Sequence, residues 1–277
     1  MEPNNRRKKI EELVKSKNSI RLEDLAKIFN VSKMTLYRDI KFLDDRFFVS
    51  RGSINYKSGN SFIEAPFFLR EEKNKELKMA VARAAINYIN KDDTIFLDGS
   101  STVGYLVDEI IKKTSNLTVV TVSPIISIKL AKSNNIKILC PGGLLDNINF
   151  IYNCEIEDFL KTININKAFM SCGAFSIENG FTDLSIGEYK VKKTIVNKIP
   201  EVNILVDHSK INNTYSYTWS NYDSITRLIC DNKIDKNNLN DLKSRKPEVI
   251  LGEVEIFVNV HGLKNNFSIP LTASLPD

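Results

Sequence analysis

The sequence predicts an α/β protein with a small N-terminal domain of short helices and a larger, mainly parallel α/β domain. Its 277 residues exceed the usual size of one domain. Positive charge is concentrated near the N-terminus, and short apolar runs alternate with helical segments in the rest of the chain. We therefore expect a first domain over residues 1–57, a linker over 58–75 and a second domain over 76–277.

Residues 1–60 hold the whole basic excess of the chain. They carry 14 Lys and Arg against 8 Asp and Glu, whereas the remaining residues carry 25 against 26. Clustered cations that neutralise phosphates release condensed counterions, so this asymmetry favours a module that binds a nucleic acid. A solvated basic surface without a partner is the alternative.

Cysteine and histidine usage argues against metal and cofactor chemistry. The four cysteines, at positions 140, 154, 172 and 230, form no C-x-x-C pair, and the chain has two histidines. We expect no zinc site, no disulfide framework and no cofactor. No apolar stretch has the length of a signal peptide or a membrane span, so we expect a cytoplasmic protein without membrane contact.

Three stretches in the first domain have the apolar periodicity of short amphipathic helices. Ser32 follows a break at Asn30-Val31 and is a suitable N-cap for the third helix. Two strand-like runs at residues 47–49 and 54–56 then enclose a turn, which predicts a hairpin, or wing. The apolar positions of the helices are Ile10, Leu13 and Val14, then Leu22, Leu25, Ala26 and Phe29, then Leu36, Ile40 and Leu43.

The third helix carries polar and basic side chains opposite its apolar stripe. Such a face is typical of a recognition helix that contacts the base edges and phosphates of double-stranded DNA. Three short helices also occur in protein-interaction modules, and the pattern alone leaves that alternative open. The candidate DNA-binding residues are Ser32, Lys33, Thr35, Tyr37, Arg38 and Lys41 of the helix and Arg51 of the wing.

The string NVSKMTLYRDIKFLDD, preceded by LAKIF, resembles the helix-turn-helix signature of the DeoR family. In that signature V-S-x-x-T-x-x-R-D-I-x-x-L follows L-A-x-x-F. The resemblance implies that Ser32, Thr35 and Arg38 lie at the DNA surface. It also implies that Asp39 orients Arg38 or contributes to the electrostatics of the helix terminus. The wing departs from the family pattern, which often has Gly-Gly near a His where this chain has Arg-Gly-Ser at 51–53.

Six short apolar runs in the second domain predict the strands of a parallel sheet, because helical segments separate them. Ligands of open α/β sheets bind beyond the carboxyl ends of the strands. Polar residues directly after these runs are therefore the candidates for a binding site. The runs cover residues 94–97, 117–120, 136–139, 168–170, 202–206 and 225–229.

The segment Asp98-Gly99-Ser100-Ser101-Thr102 follows the first run and precedes a helix predicted over 103–112. Backbone N–H groups and hydroxyls at a helix N-terminus form a suitable position for an anion. Ordinary capping of the helix by Ser or Thr is the alternative. We expect three further polar segments to converge on the same crevice, namely Thr121-Val122-Ser123, Cys140-Pro141-Gly142-Gly143 and Asp207-His208-Ser209-Lys210.

Four segments, IFLDGSSTVGYLVDEI, VVTVSP, KAFMSCGAFSIENGFTD and ILVDHSK, resemble in this order the effector domain of the DeoR family. That domain is similar in fold to phosphoribose isomerase and glucosamine-phosphate deaminase, which implies a phosphorylated sugar as effector. Charge-assisted hydrogen bonds suit such a ligand. The resemblance places the phosphate on Ser100, Ser101, Thr102 and Lys210 and the sugar hydroxyls on Asp98, Glu188 and Asp207, with Gly99, Thr121, Ser123, Gly142 and Gly143 as further effector-binding candidates.

The family resemblance implies a sequence-specific transcriptional regulator, by default a repressor of a carbohydrate-metabolism operon, that binds its DNA operator as a homo-oligomer. Three departures from the family pattern leave open which sugar phosphate is bound and whether the domain senses one. Asp98-Gly99-Ser100 inverts the usual Ser-Gly order, Val122 replaces Asn and Asn153 replaces Gly. A DNA-binding protein that no longer senses a small molecule is therefore one alternative.

An isomerase-like enzyme is the second alternative. Its proton-transferring carboxylate would be Glu188, followed by Lys192 and Lys193 and near Asp207 and Lys210. The same helical spacing also fits an exposed polar face, with the apolar residues 191, 195 and 196 on the opposite side. An attached DNA-binding module favours the regulator over the enzyme.

Overall fold

The computed structural model describes residues 2–40, 42, 43, 47–50, 52–56, 67–113 and 116–254. Within these ranges the chain has the predicted α/β fold class, with a helix-turn-helix region followed by a large parallel sheet. The elements of the N-terminal region are α1 (Pro3–Lys17), β1 (Ser19–Arg21), α2 (Leu22–Phe29), α3 (Lys33–Ile40), β2 (Phe47–Ser50) and β3 (Ser53–Tyr56).

The turn between α2 and α3 follows from local chemistry. Asn30 ends α2 in the left-handed conformation, with φ 48°, which Asn tolerates better than most residues. The Ser32 hydroxyl then accepts a hydrogen bond from the Thr35 N–H at 3.1 Å, as predicted for the cap of α3. Antiparallel strands in the order β1-β3-β2 form the wing sheet, of which β1 is an addition to the sequence prediction.

A single apolar core holds the N-terminal elements together. The predicted apolar stripes of the three helices meet the inward side chains of the wing strands there. Its fully or nearly fully buried members are Ile10, Val14, Ile20, Leu22, Leu25, Leu36, Ile40, Phe47, Val49 and Ile54.

Helices and short strands alternate through the rest of the described chain. The elements are α4 (Phe67–Glu72), α5 (Lys75–Ala85), β4 (Thr94–Leu97), α6 (Ser101–Lys113), β5 (Leu117–Thr121), α7 (Pro124–Leu130), β6 (Ile136–Leu139), β7 (Leu144–Asp146), β8 (Ile151–Asn153), α8 (Ile156–Leu160), β9 (Lys167–Met170), β10 (Ala174–Ser176), β11 (Gly180–Asp183), α9 (Ile186–Lys198), β12 (Glu201–Val206), β13 (Tyr217–Ser220), β14 (Arg227–Asp231), α10 (Lys236–Lys243) and β15 (Glu248–Gly252).

The main sheet has seven strands in the order β15-β14-β12-β9-β4-β5-β6, and every pairing between them is parallel. The chain first builds outward from β4 to β6. It then returns to place β9 on the other side of β4 and builds outward again to β15. The strand order therefore reverses between β4 and β9, and such a switch point opens a crevice at the carboxyl ends of the two strands.

Both faces of the main sheet are covered by apolar cores, so its central strands are buried on both sides. Successive residues of β4 alternate between the two cores: Ile95 and Leu97 pack with α5 and α6, and Phe96 packs on the face that includes α9. Helices on both faces are the arrangement that a parallel sheet requires.

The structure differs from the sequence prediction at several element boundaries. The last predicted strand, 225–229, is displaced to Arg227–Asp231, because Tyr222–Ser224 forms a 3-10 turn that places Ile225 in the core instead. Helix α6 begins at Ser101, two residues before its predicted start. Strand β15, the hairpin β7-β8 and the small antiparallel sheet β10-β11-β13 were absent from the prediction.

Helix α4 lies inside the segment predicted as a linker, 58–75, whereas residues 57–66 of that region fall outside the described ranges. The domain limits stay a prediction. Among the helices that the structure describes, none has both the length and the apolar character that crossing a membrane requires.

Removing the Phe96 side chain tests the central position of β4. Phe96→Ala should lower the free energy of unfolding by about 3–5 kcal/mol, because the ring is fully buried in a packed core. Phe68→Ala is the matched control, since that ring is 56% exposed. Urea unfolding monitored by circular dichroism measures both, and equal losses for the two variants would contradict the assignment.

Candidate nucleic-acid interface and ligand site

The predicted recognition helix, α3, presents most of the predicted DNA-binding side chains to solvent. Ser32, Lys33 and Arg38 are exposed, and Thr35 and Tyr37 are half-buried. The Ser32 and Thr35 hydroxyls lie 3.0 Å apart at the start of the helix. The predicted residues Lys41 and Arg51 lie outside the described part of the chain.

Two details of this face were not predicted. The Lys33 ammonium forms an exposed ion pair with Glu23 of α2 at 2.6 Å, so part of its charge is neutralised within the protein. Met34 is 62% exposed beside the predicted contacts. An apolar side chain at such a position can contact the methyl group of thymine.

Asp39 has a different role from the predicted one. Its carboxylate is buried and accepts hydrogen bonds from the Arg6 Nε at 2.6 Å and the Arg7 Nε at 3.2 Å, both from α1. The reason is helical spacing, because Asp39 lies three residues after Leu36 on the buried face of α3. The described contacts of Asp39 thus tie α3 to α1 and do not orient Arg38.

At the switch point of the main sheet, Asp98 connects the loops after β4 and β9. One carboxylate oxygen accepts from the Ser100 N–H at 3.0 Å, and the other accepts from the Ser171 N–H at 2.8 Å. The Ser100 hydroxyl accepts from the Val103 N–H at 3.3 Å and so caps α6. Asp98 and Ser100, both predicted to bind the ligand, therefore form hydrogen bonds within the protein.

The first turn of α6 also contains the predicted residues Ser101 and Thr102. The Ser101 hydroxyl lies 3.0 Å from the ammonium of Lys78, a buried residue of α5 that the sequence analysis did not select. Thr102 Oγ1 is buried and has no hydrogen-bond partner among the described residues. Because unpartnered buried hydroxyls are uncommon, this one is a candidate ligand contact.

Glu188 and Lys192 belong to a buried charge cluster behind this turn. The Lys192 ammonium lies 2.8 Å from Asp183, 3.6 Å from Asp98 and 3.8 Å from Glu188. Burial lowers the pKa of Lys192, but the carboxylates of Asp183, Glu188 and Asp98 outweigh burial and raise it above its usual value. The alternative of an exposed polar face is therefore wrong for Glu188 and Lys192, although Lys193 is exposed.

Asp207 and Lys210 follow β12 and lie near the same crevice. The Lys210 ammonium donates to the Ser171 hydroxyl at 2.9 Å and to the Cys172 carbonyl at 2.7 Å. Burial raises the pKa of Asp207, but the ammonium of Lys210 and further hydrogen bonds more than offset this and hold it below its usual value. Asp207 thus remains a carboxylate beside a cation.

The other predicted residues have local roles in the described structure. Thr121 Oγ1 accepts from the Ser123 N–H at 3.1 Å, and the Ser123 hydroxyl caps α7 by accepting from the Ile126 N–H at 3.4 Å. Gly143, at φ 129°, packs against the backbone carbonyl of Asn153, where a side chain would collide. A side chain at Gly99 would collide with Ile151. Gly142 has a positive φ of 73°, which favours glycine.

A surface cavity of about 770 Å³ lies elsewhere, beside the β10-β11 hairpin and α10. Its lining includes no predicted effector residue; Ser176, Asn179, Thr214, Asn238 and Arg245 are among the residues that line it. Ser176, Asn179 and Thr214 hydrogen-bond to one another, as do Asn212 and Asn238. We therefore keep the switch point as the candidate ligand site.

A solvent-facing recognition helix joined to an α/β domain with buried charged groups at its switch point defines a helix-turn-helix DNA-binding protein with a sensor-type second domain. The models of two families match the chain: the DeoR-like helix-turn-helix domain over residues 6–53 and the DeoR C-terminal sensor domain over residues 73–232. This chain belongs to the DeoR family of transcriptional regulators.

Curated relatives match along nearly their whole length. An uncharacterized HTH-type transcriptional regulator of Bacillus subtilis, YulB, is 31% identical over 88% of this chain and 95% of its own. The HTH-type transcriptional regulator GolR of Listeria innocua is 30% identical over 85% of this chain and 93% of its own. These relatives are transcriptional regulators by name, as the sequence analysis expects of this chain.

One similar solved structure is a D-ribose-5-phosphate isomerase in complex with phospho-erythronic acid. It has a TM-score of 0.38 and 19% identity, and the match covers 50% of this chain and 54% of that one. A likeness this distant carries no argument about activity.

The buried ion pairs of Asp39 generate a testable prediction. Asp39→Asn should destabilise the protein by about 3–5 kcal/mol, because breaking a buried pair leaves Arg6 and Arg7 poorly compensated. Operator affinity should fall with it, since α3 loses its bond to α1. Glu23→Gln, which breaks an exposed pair with Lys33, is the control and should leave stability nearly unchanged. Thermal unfolding distinguishes the two, and similar melting temperatures for both variants would refute the role of Asp39.

Proposed function

We propose that this regulator represses a carbohydrate-metabolism operon and that a phosphorylated sugar, bound at the switch point, weakens its binding to the operator. The observation that carries the proposal is the first turn of α6. There the Ser101 hydroxyl lies 3.0 Å from the Lys78 ammonium, and the next residue, Thr102, has a buried hydroxyl without a partner among the described residues. Hydroxyls, a helix N-terminus and an ammonium together suit a phosphate ester.

The electrostatics of the crevice support a ligand with both a phosphate and hydroxyl groups. Lys210 adds a second ammonium next to Ser171, whose backbone N–H is bound to Asp98. Asp98 and Asp207 provide carboxylate oxygens, which accept hydrogen bonds from sugar hydroxyls. A phosphorylated polyol carries both kinds of group that these ammonium and carboxylate side chains bind.

Relatives of this chain support a role in operon control, and their names include both signs of regulation. The repressor CsqR of Escherichia coli is 23% identical over 86% of this chain, and the L-fucose operon activator of the same organism is 27% identical over 82%. Repression is the sign we propose here. Ligand and DNA then lower each other's affinity by the same factor, as linkage requires.

The proposal includes binding to the operator as a homo-oligomer. A dimer places two recognition helices on two half-sites, so the symmetry of the operator mirrors the symmetry of the protein. Sedimentation of the protein with and without operator DNA measures the stoichiometry. A monomer that binds the operator tightly would overturn this part of the proposal.

The first test of DNA recognition is Arg38→Ala. Loss of an exposed base-reading or phosphate-binding side chain of α3 should reduce operator affinity by about 10- to 100-fold, equivalent to roughly 1–3 kcal/mol. Binding of the sugar phosphate should persist. Arg245→Ala removes a cation of the second domain and is the control. Fluorescence anisotropy at fixed salt, with DNA from upstream of the gene itself, measures both; wild-type affinity for the Arg38 variant would contradict the assigned role.

The first test of sensing is the double variant Ser101→Ala with Thr102→Ala. It should keep operator affinity but lose release by whichever sugar phosphate of a panel releases the wild-type protein. Ser244→Ala, which removes an exposed hydroxyl near α10, should behave as wild type. Release of the double variant at the wild-type concentration of ligand would place the phosphate elsewhere.

The panel also separates the two alternatives. Specific operator binding that no sugar phosphate alters would favour a DNA-binding protein without small-molecule sensing. Conversion of a sugar phosphate, followed by NMR, together with absent operator binding would favour the isomerase-like enzyme.

A further inference from the structure

Lys78 connects the candidate phosphate site to helix α4. The residue lies in the first turn of α5 and is 3% exposed. Its ammonium donates to the Ser101 hydroxyl at 3.0 Å and also to the backbone carbonyl of Arg70 in α4. One buried cation is thus shared between the turn that would hold a phosphate and a neighbouring helix.

Helix α4 also contacts the loop between β7 and β8. The Phe67 N–H donates to the Ile148 carbonyl at 3.2 Å, and the Arg70 guanidinium donates to the Asn149 side chain at 3.0 Å. On the other side, Leu69 packs against the apolar core of the N-terminal region. Helix α4 therefore lies between the second domain and the helix-turn-helix region.

The described carboxylates compensate the charge on Lys78 poorly. Within the described part of the chain it forms no ion pair with a carboxylate, whereas the equally buried Lys192 lies within 4 Å of three. Burial and the nearby Lys210 lower the pKa of Lys78 to about 7, and Asp207 opposes them only in part. A bound anion would supply the missing negative charge.

The first turn of α6 contains a buried hydroxyl without a hydrogen-bond partner among the described residues. Thr102 Oγ1 is fully buried in α6, a helix of 13 residues, and no described residue hydrogen-bonds to it. Phosphate oxygens accept hydrogen bonds from hydroxyl and ammonium groups alike. One phosphate at this turn would satisfy both Thr102 and Lys78.

We propose that Lys78 is a phosphate-responsive tether: a phosphate ester bound at the first turn of α6 draws the Lys78 ammonium from the Arg70 carbonyl, and α4 transmits the loss of that bond to the DNA-binding region. The inference rests on the proposed function and adds the route by which ligand binding affects the DNA-binding region. Ligand binding changes α4 because the ammonium has stronger acceptors in the bound state than in the free one.

The relay requires proton uptake. Lys78 is flanked by Arg70, Lys73 and Lys210, with Asp207 as the opposing charge, and its lowered pKa of about 7 means that it loses its charge as the pH rises through that value. A bound phosphate raises its pKa, so binding takes up a proton above pH 7. Affinity for phosphate therefore falls as the pH rises from about 7 to 9, since the dianion itself is already formed above its own second pKa of about 6.

The test compares Lys78→Met with Lys75→Met in the full chain. Lys75 is exposed on the same helix, so its replacement removes the same charge without touching Ser101 or Arg70. Calorimetry with inorganic phosphate should show affinity about 10- to 100-fold weaker for the Lys78 variant, the loss expected for one charge-assisted hydrogen bond. The Lys75 variant should match wild type.

Operator binding gives the second readout. Without ligand, Lys78→Met should bind the operator more weakly than wild type, because α4 has already lost its bond. The sugar phosphate that releases wild type should then weaken operator binding no further. A Lys78 variant that binds phosphate and leaves the operator as wild type does would overturn the tether and leave the proposed function standing.

A third measurement needs no variant. Calorimetry of wild type at pH 8, in two buffers of different ionisation enthalpy, should show net uptake of protons when phosphate binds. Binding without proton uptake would overturn the tether even if Lys78→Met failed to fold. Absence of any binding of phosphate or sugar phosphate to wild type would overturn the proposed function together with the tether.

Discussion

The hydrogen bonds of the Asp98 carboxylate hold the candidate site together. They join the loops that follow β4 and β9, the two strands between which the order of the sheet reverses. A buried carboxylate is costly unless charges and hydrogen bonds compensate it, and here Lys192 lies 3.6 Å away while two backbone N–H groups donate directly. These hydrogen bonds fix the start of α6 within the protein, which is a requirement for a preformed binding turn.

Local patterns predicted the elements with the strongest periodicity. The three N-terminal helices, the wing and five of the six predicted parallel strands lie where apolar spacing placed them, because each buries a regular stripe. The strands β7, β8 and β10 have three residues each, which is too short for an apolar pattern to show, although their partners lie close by in sequence. Strand β14 begins two residues later than predicted, because the 3-10 turn at Tyr222–Ser224 directs the next residue, Ile225, into the core.

The ligand site was predicted less completely than the fold. Ser101 and Thr102 were selected from the loop after β4, but Lys78 was missed because it lies on an ordinary amphipathic helix far from that loop in sequence. A signal was present: Lys78 shares its helical face with Val81, Ala82 and Ala85, all fully buried. A lysine on the buried, apolar face of a helix indicates a structural or ligand-binding role for its ammonium. The contact of Asp39 with α1 was not predicted, because Arg6 and Arg7 are distant from it in sequence and reach it only when the helices pack.

The pairing of Asp39 also bears on how many ions leave when DNA is bound. The single negative charge of Asp39 already offsets one of the two positive charges of Arg6 and Arg7, and Lys33 is paired with Glu23. The logarithm of the binding constant falls with the logarithm of salt concentration by about 0.9 for each phosphate neutralised. The slope for this regulator should therefore be shallower than the 14 Lys and Arg of its first 60 residues imply, and specificity will owe more to contacts with bases than that number indicates.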